Sequence, residues 1–236
     1  MVNWNGAILR MMSGLMITPD PDRLYQYLDQ TREIYGNRLF FETVNAGDTD
    51  SMFTDLGSFK ETICSCQECP LGKTRTNFVF GVGNPQADIV FVGEAPGEQE
   101  DLQGIPFVGR AGKLLDKILD AIDLTRDDVY ICNVLKCRPP DNRNPLPSEI
   151  EQCEPYMKTQ LNLINPKLIV ALGWVAACTI LKTKESLKNL RNQIFQYEGI
   201  DLLATYHPAA LLRNPNLKKS AWDDFKLIRD KYILED

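Results

Sequence analysis

The chain has 236 residues, 44% of them hydrophobic and 25% charged, enough to bury the core of one α/β domain with an appendage. Lys and Arg number 26 against 32 Asp and Glu, a formal charge of −6, so no overall basic field advertises a nucleic-acid partner and any such binding must rest on a local basic surface. No apolar stretch reaches membrane-spanning length and the N-terminus lacks a signal-type segment, so a cytoplasmic protein without membrane contact is expected; its seven cysteines then point to metal or cluster ligation rather than to disulfides.

In chain order, Asp20 to Tyr35 carries Leu24, Tyr25, Tyr27, Leu28 and Ile34 at mostly helical spacing behind a Pro19-Asp20-Pro21-Asp22 start signal. The polar stretch Glu42 to Ser51 reads as a linker, so residues 1–54 are expected to be an accessory segment and residues 55–236 the main domain. A short helix is expected from Asp55. Strand-like and helix-like segments then alternate: strand Ile89–Gly93, helix Arg110–Ile122, strand Val129–Asn133, helix Ser148–Ile164, strand Leu168–Leu172, helix Trp174–Leu181, strand Leu202–Tyr206 and helix Ala221–Leu234. That order predicts a parallel sheet with helices on both faces.

The stretch Gly93-Glu94-Ala95-Pro96-Gly97-Glu98-Gln99-Glu100-Asp101 follows the first of these strands, where open α/β folds place their sites. Two glycines and a proline bend the backbone so that N–H groups approach a ligand, and four acidic residues supply carboxylates. An exposed acidic turn is the plain alternative. Three further elements gather at the same predicted edge: Phe107 in Pro106-Phe107-Val108 with an aromatic face, Asn133 with an amide that both donates and accepts, and His207, the sole histidine. Taken alone, Phe107 reads first as core, Asn133 as a turn former and His207 as a structural residue; their convergence is what points to a site.

Cys66 and Cys69 are separated by two residues and Cys137 and Cys153 by fifteen. A close pair plus two distant thiols can close a four-thiolate site for zinc or for an iron–sulfur cluster, and the open second half, with Arg138-Pro139-Pro140, leans toward the cluster. Cys132 and Cys178 read as buried thiols, and Cys64 is the competitor for a ligand position.

Taken together, Gly93-Glu94-Ala95-Pro96-Gly97 with Glu100-Asp101, Pro106-Phe107-Val108-Gly109, Asn133 ahead of Lys136-Cys137-Arg138-Pro139-Pro140, the cysteine spacing and His207-Pro208-Ala209 resemble the family 4 uracil-DNA glycosylases from about Phe59 to the C-terminus. The resemblance implies a three-layer α/β/α sandwich around a short parallel sheet, a structural [4Fe–4S] cluster on Cys66, Cys69, Cys137 and Cys153, and uracil-containing DNA, single- or double-stranded, as partner of a monomer. It implies a substrate pocket of Gly93, Glu94, Ala95, Phe107, Asn133 and His207, with Phe107 on the uracil face, Asn133 on its Watson–Crick edge and His207 at O2. Glu100 is the first choice for a carboxylate near the sugar and Glu94 the second, because Ala95 stands where some related families carry a water-activating aspartate. Residues 209–215 resemble a minor-groove loop, with Leu211 or Leu212 as wedge and Arg213 on the backbone; leucines packing at a helix start are the alternative. Lys136, Arg138, Arg143, Arg213, Lys218 and Lys219 are candidates for a local basic rim.

A non-catalytic iron–sulfur nucleic-acid binding module is the rival reading, although it has no use for Asn133, His207 and the acidic loop together. A zinc base deaminase would need His-x-Glu followed by Pro-Cys-x-x-Cys, and a phosphate-loop enzyme would need Lys-Ser/Thr where Arg110-Ala111 stands. Residues 134–150 hold no histidine for covalent capture of DNA, so turnover is expected.

Overall fold

The computed structural model describes residues 53–234. The expected N-terminal helix at Asp20–Tyr35 and the linker after it lie outside the described residues. Helix α1 (Leu56–Ile63) starts as the sequence predicts: Asp55 is its N-cap and accepts from the N–H groups of Gly57 at 2.7 Å and Ser58 at 2.9 Å.

Six strands follow, β1 (Val82–Gly83), β2 (Ile89–Gly93), β3 (Tyr130–Asn133), β4 (Leu168–Leu172), β5 (Ile194–Tyr197) and β6 (Ile200–Thr205), in the sheet order β1-β3-β2-β4-β6-β5. The four central strands are parallel, whereas β1 and β5 pair antiparallel at the two edges. The sheet is therefore mixed, and both edge strands are additions to the expected parallel core. Between the strands run α2 (Glu98–Gln103), α3 (Arg110–Asp120), α4 (Pro147–Ile164), α5 (Trp174–Leu181) and α6 (Leu187–Leu190), and α7 (Pro208–Arg213) and α8 (Lys218–Tyr232) follow β6.

The central strands are apolar on both faces, as strands covered by helices must be. Their alternation divides the core in two. Val90, Val92, Cys132, Ile169, Ala171, Leu202 and Ala204 face one layer with Phe59 of α1, Met157 and Leu161 of α4 and Ile180 of α5. Ile89, Phe91, Ile131, Leu168, Val170 and Leu203 face the other, with Leu115 and Leu119 of α3 and Phe225 and Ile228 of α8. Each such fully buried large side chain contributes about 1.5–3 kcal/mol. The result is the expected α/β/α sandwich. Among the described residues no helix is long and apolar enough to cross a membrane.

The chain reverses its winding at β2, which pairs with β3 on one side and β4 on the other. The carboxyl ends of β2, β3, β4 and β6 share one edge, and a crevice outside such a reversal is where this class of sheet binds ligands.

Candidate active site

Each central strand delivers a residue to one cavity of about 480 Å³ at that edge, within the usual range for ligand pockets. From the end of β2 come Glu94, Ala95, Pro96 and Gly97, from β3 Asn133, from β4 Gly173 and Trp174, and from β6 Tyr206 and His207. Phe107 and Glu100 reach it from the β2–α3 connection, and Arg213 from α7.

Gly93 and Asn133 are paired in the β2–β3 ladder. A Cβ at Gly93 would stand 2.3 Å from Asn133 Oδ1 and 2.6 Å from the Phe107 ring, so only glycine lets the amide and the aromatic ring approach here. Asn133 is 2% exposed, and its Oδ1 is buried without a hydrogen-bond partner. A buried orphan acceptor costs roughly 1–3 kcal/mol, a cost that a ligand N–H would remove.

Phe107 lies flat toward His207, with ring centroids 5.4 Å apart at 30°. Its backbone is left-handed, φ 54°, unusual for a bulky residue. Arg126 holds it there by donating to the carbonyls of Pro106, at 3.0 Å, and Phe107, while Asp116 orients the guanidinium at 2.7 Å.

His207 caps α7, and its Nδ1 accepts from the Ala209 N–H at 3.1 Å. The ring proton therefore sits on Nε2. Burial, helped by the nearby Arg213 charge and opposed by Glu100, pushes its pKa down to about 4, so the imidazole is a neutral donor at physiological pH.

The two candidate carboxylates differ. Glu100 accepts from three backbone N–H groups: Val108 at 2.9 Å and Gly109 at 2.8 Å on Oε1, and Gly97 at 3.1 Å on Oε2. It fastens the loop and caps its own helix. Glu94 is half-buried on the cavity wall; desolvation raises its pKa above the usual carboxylate value, with Arg213 opposing. Of the two, Glu100 is thus the one engaged by backbone N–H groups, and Glu94 the one whose carboxylate is desolvated at the cavity wall. Asp101 is buried and accepts from the Thr76 and Asn77 N–H groups, which leaves it a brace for that segment.

The chain matches the uracil DNA glycosylase superfamily model over residues 80–226. It is 49% identical over 181 residues to a Type-4 uracil-DNA glycosylase of Archaeoglobus fulgidus, covering 73% of this chain and 91% of that one. It belongs to the type-4 uracil-DNA glycosylases. A second relative of that type, from Sulfurisphaera tokodaii, is 46% identical over 75% of this chain and 85% of its own, while a Type-5 uracil-DNA glycosylase of Pyrobaculum aerophilum is 31% identical over 55% and 64%.

In this type-4 glycosylase Cys66, Cys69, Cys137 and Cys153 line one small cavity with Arg75 and Tyr156, and Cys64 is not among its walls. Cys64 is exposed, and Cys132 lies in the β3 core. Tyr156 Oη donates to Cys66 Sγ at 3.2 Å, Arg75 to Cys137 Sγ at 3.2 Å and the Lys136 N–H to Cys153 Sγ at 3.3 Å, a donor set suited to thiolates. Among the described residues no three ligand side chains already close on one ion position. Thiols ringed around a shared cavity suit a cluster, which holds its ligands farther apart than a single ion does.

Two sequence expectations are corrected. Residues 208–213 are helix α7, not an open loop, and in it Leu211, one of the two wedge candidates, is 2% exposed and packs inward while Leu212 is 37% exposed. Lys136 is fully buried, its Nζ donating to the Asn133 carbonyl at 2.7 Å and to Gln160, and it is no part of a basic rim. Sequence reasoning also passed over Trp174 and Tyr206; their positions at the carboxyl ends of β4 and β6 were the available signal.

Proposed function

We propose that the protein excises uracil from DNA by hydrolysing the bond between C1′ and N1, initiating base excision repair, with residues 55–236 as the catalytic domain and residues 1–54 as an accessory segment. The observation that carries this reading is the orphan Oδ1 of Asn133, a residue that lines the same cavity as Phe107 and His207. Uracil rotated out of the stack stacks on Phe107; its N3–H donates to Asn133 Oδ1, and its O4 accepts from the amide nitrogen. Cytosine presents the reverse pattern and leaves both groups mispaired, which discriminates strongly.

As C1′–N1 breaks, its electron pair passes to uracil and spreads to O2, where the neutral His207 Nε2–H donates without any proton needing to move first. The sugar takes on oxocarbenium character beside the Glu94 carboxylate. Water oxygen bonds to C1′ and its proton passes to Glu94, giving an abasic site and the uracil anion; the anion takes a proton from water on release, and Glu94 returns its own to solvent.

The four cysteines named above are proposed to hold a [4Fe–4S] cluster, which supplies structural cross-linking. Lys136 ties that region to the pocket, since its N–H meets Cys153 and its Nζ meets the Asn133 carbonyl. Leu212 and Arg213 are assigned to the DNA strand, Arg213 also facing Glu94 and His207. The partner is uracil-containing DNA and the working unit a monomer in the cytoplasm.

Uracil release from a labelled single-stranded oligonucleotide with one deoxyuridine, read as strand scission after alkali beside a cytosine control, tests the reading. Uracil-specific scission that Asn133→Ala abolishes is expected. No scission by iron-loaded protein refutes catalysis and leaves a nucleic-acid binding module.

A further inference from the structure

The cavity is larger than one pyrimidine requires, and its exposed part is built differently from the pocket around Asn133. Trp174 lines it with 49% of its surface exposed. The indole is fixed, its Nε1–H donating to the Glu185 carbonyl at 2.9 Å. Its neighbour Gly173, at φ 96°, lies so close to His207 that a Cβ would stand 3.0 Å from the histidine Cβ, and Gly173, Trp174 and His207 line the same cavity. Tyr206 supplies a second aromatic, with the Arg191 guanidinium 4.4 Å above its ring, and Arg143 and Asn144 supply polar edges to the same space.

We propose that Trp174 forms a stacking subsite for the nucleobase adjoining the uracil. This rests on the glycosylase reading and extends it from the excised base to its neighbour. An aromatic ring with its N–H already satisfied offers only its face, and a face is read by any base without sequence preference. A base pinned in a duplex keeps its stacking partners, so the subsite fits a single strand or a locally unstacked one.

The test uses short single-stranded oligonucleotides with one deoxyuridine, in which the 5′ or the 3′ adjoining nucleotide is replaced by a baseless tetrahydrofuran residue. Uracil release is measured as kcat/KM for the natural protein, Trp174→Ala and Trp174→Phe. Equilibrium binding of the same strands carrying a hydrolysis-resistant 2′-fluoro-deoxyuridine is measured alongside. Removing the base at one flank lowers kcat/KM and affinity about fivefold or more in the natural protein, the low end for one base on an aromatic ring. Trp174→Ala brings that ratio close to one, and Trp174→Phe keeps most of it. Equal behaviour on all three strands by the natural protein, or a flank effect that survives in Trp174→Ala, overturns the subsite. If no strand releases uracil, the glycosylase reading fails, and the binding ratios still decide on Trp174.

Discussion

Replacing Glu94 and Glu100 by glutamine, one at a time, separates the two acids by opposite signatures. Glu100 accepts three backbone N–H groups, and a glutamine turns an NH2 group toward at least one of them. Charge-assisted bonds of this kind are worth about 1.5–3 kcal/mol each, so Glu100→Gln is expected to lose roughly 2–4 kcal/mol of stability, with activity falling only as far as the loop loosens. Glu94 accepts no such bonds, and desolvation raises its pKa above the usual value. A carboxyl group whose pKa is raised on folding is held ionised at neutral pH at a cost to stability that disappears as pH falls through the raised value, so Glu94→Gln is expected to be no less stable at pH 7. Activity needs the ionised form and therefore declines as pH falls through the same raised value. Glu94→Gln should lose about 10²–10⁴ in single-turnover rate, the usual contribution of such a group, together with the acid limb of the profile. Urea denaturation and uracil release from pH 4.5 to 8 measure both. A Glu94→Gln rate within tenfold of the natural protein, with Glu100→Gln stable and inactive, would refute the assignment.

His207, held near 4 by burial, stays neutral across that pH range, so His207→Gln is expected to cost about 10²–10³ in rate while leaving the acid limb in place. Because its pKa falls on folding, its contribution to stability is lost as pH drops from about 6.5 toward 4, and urea midpoints of the variant should show a shallower decline there. Arg126→Met removes the clamp on Phe107; a left-handed bulky residue costs about 1–2 kcal/mol, so kcat/KM should drop roughly 5- to 30-fold, and Arg126→Met combined with Phe107→Ala should be no worse than Phe107→Ala alone. Cys64→Ser should leave iron content unchanged, whereas Cys66→Ser and Cys153→Ser should lower it, as read by iron analysis and visible absorbance. Arg191→Met strands the buried Asp224 carboxylate, which Arg191 meets at 2.8 Å, and should cost about 3–5 kcal/mol at pH 7 by urea denaturation, with Arg191→Met/Asp224→Leu recovering much of it.

The sandwich was legible because its information is local and periodic. Apolar runs at 89–93, 168–172 and 202–205 announce strands buried on both faces, and their alternation with helical patterns dictates a parallel centre and one shared edge for Glu94, Asn133 and His207. The two-residue β1 and the half-exposed β5 were not legible, since an edge strand of that kind carries no distinctive pattern and exists only because β3 and β6 offer unpaired backbone.

Residue types and spacing also sufficed for the acidic loop, the aromatic ring, the amide, the imidazole and the family resemblance. What each side chain does within that set depended on distant partners. Glu100 reads as one of several loop acids until Val108 and Gly109 donate to it, and Lys136 reads as surface charge until Gln160, 24 residues on, receives it in the core. Arg191 and Asp224, 33 residues apart, look like two solvated charges and are in fact a buried pair beside Tyr206. Leu211 and Leu212 are chemically identical, and only the face of α7 that packs against the domain separates the exposed one from the buried one. Hydropathy is a property of a segment and survives without its surroundings, whereas the desolvation and pairing of a charge belong to two segments at once, and the folded chain alone brings them together.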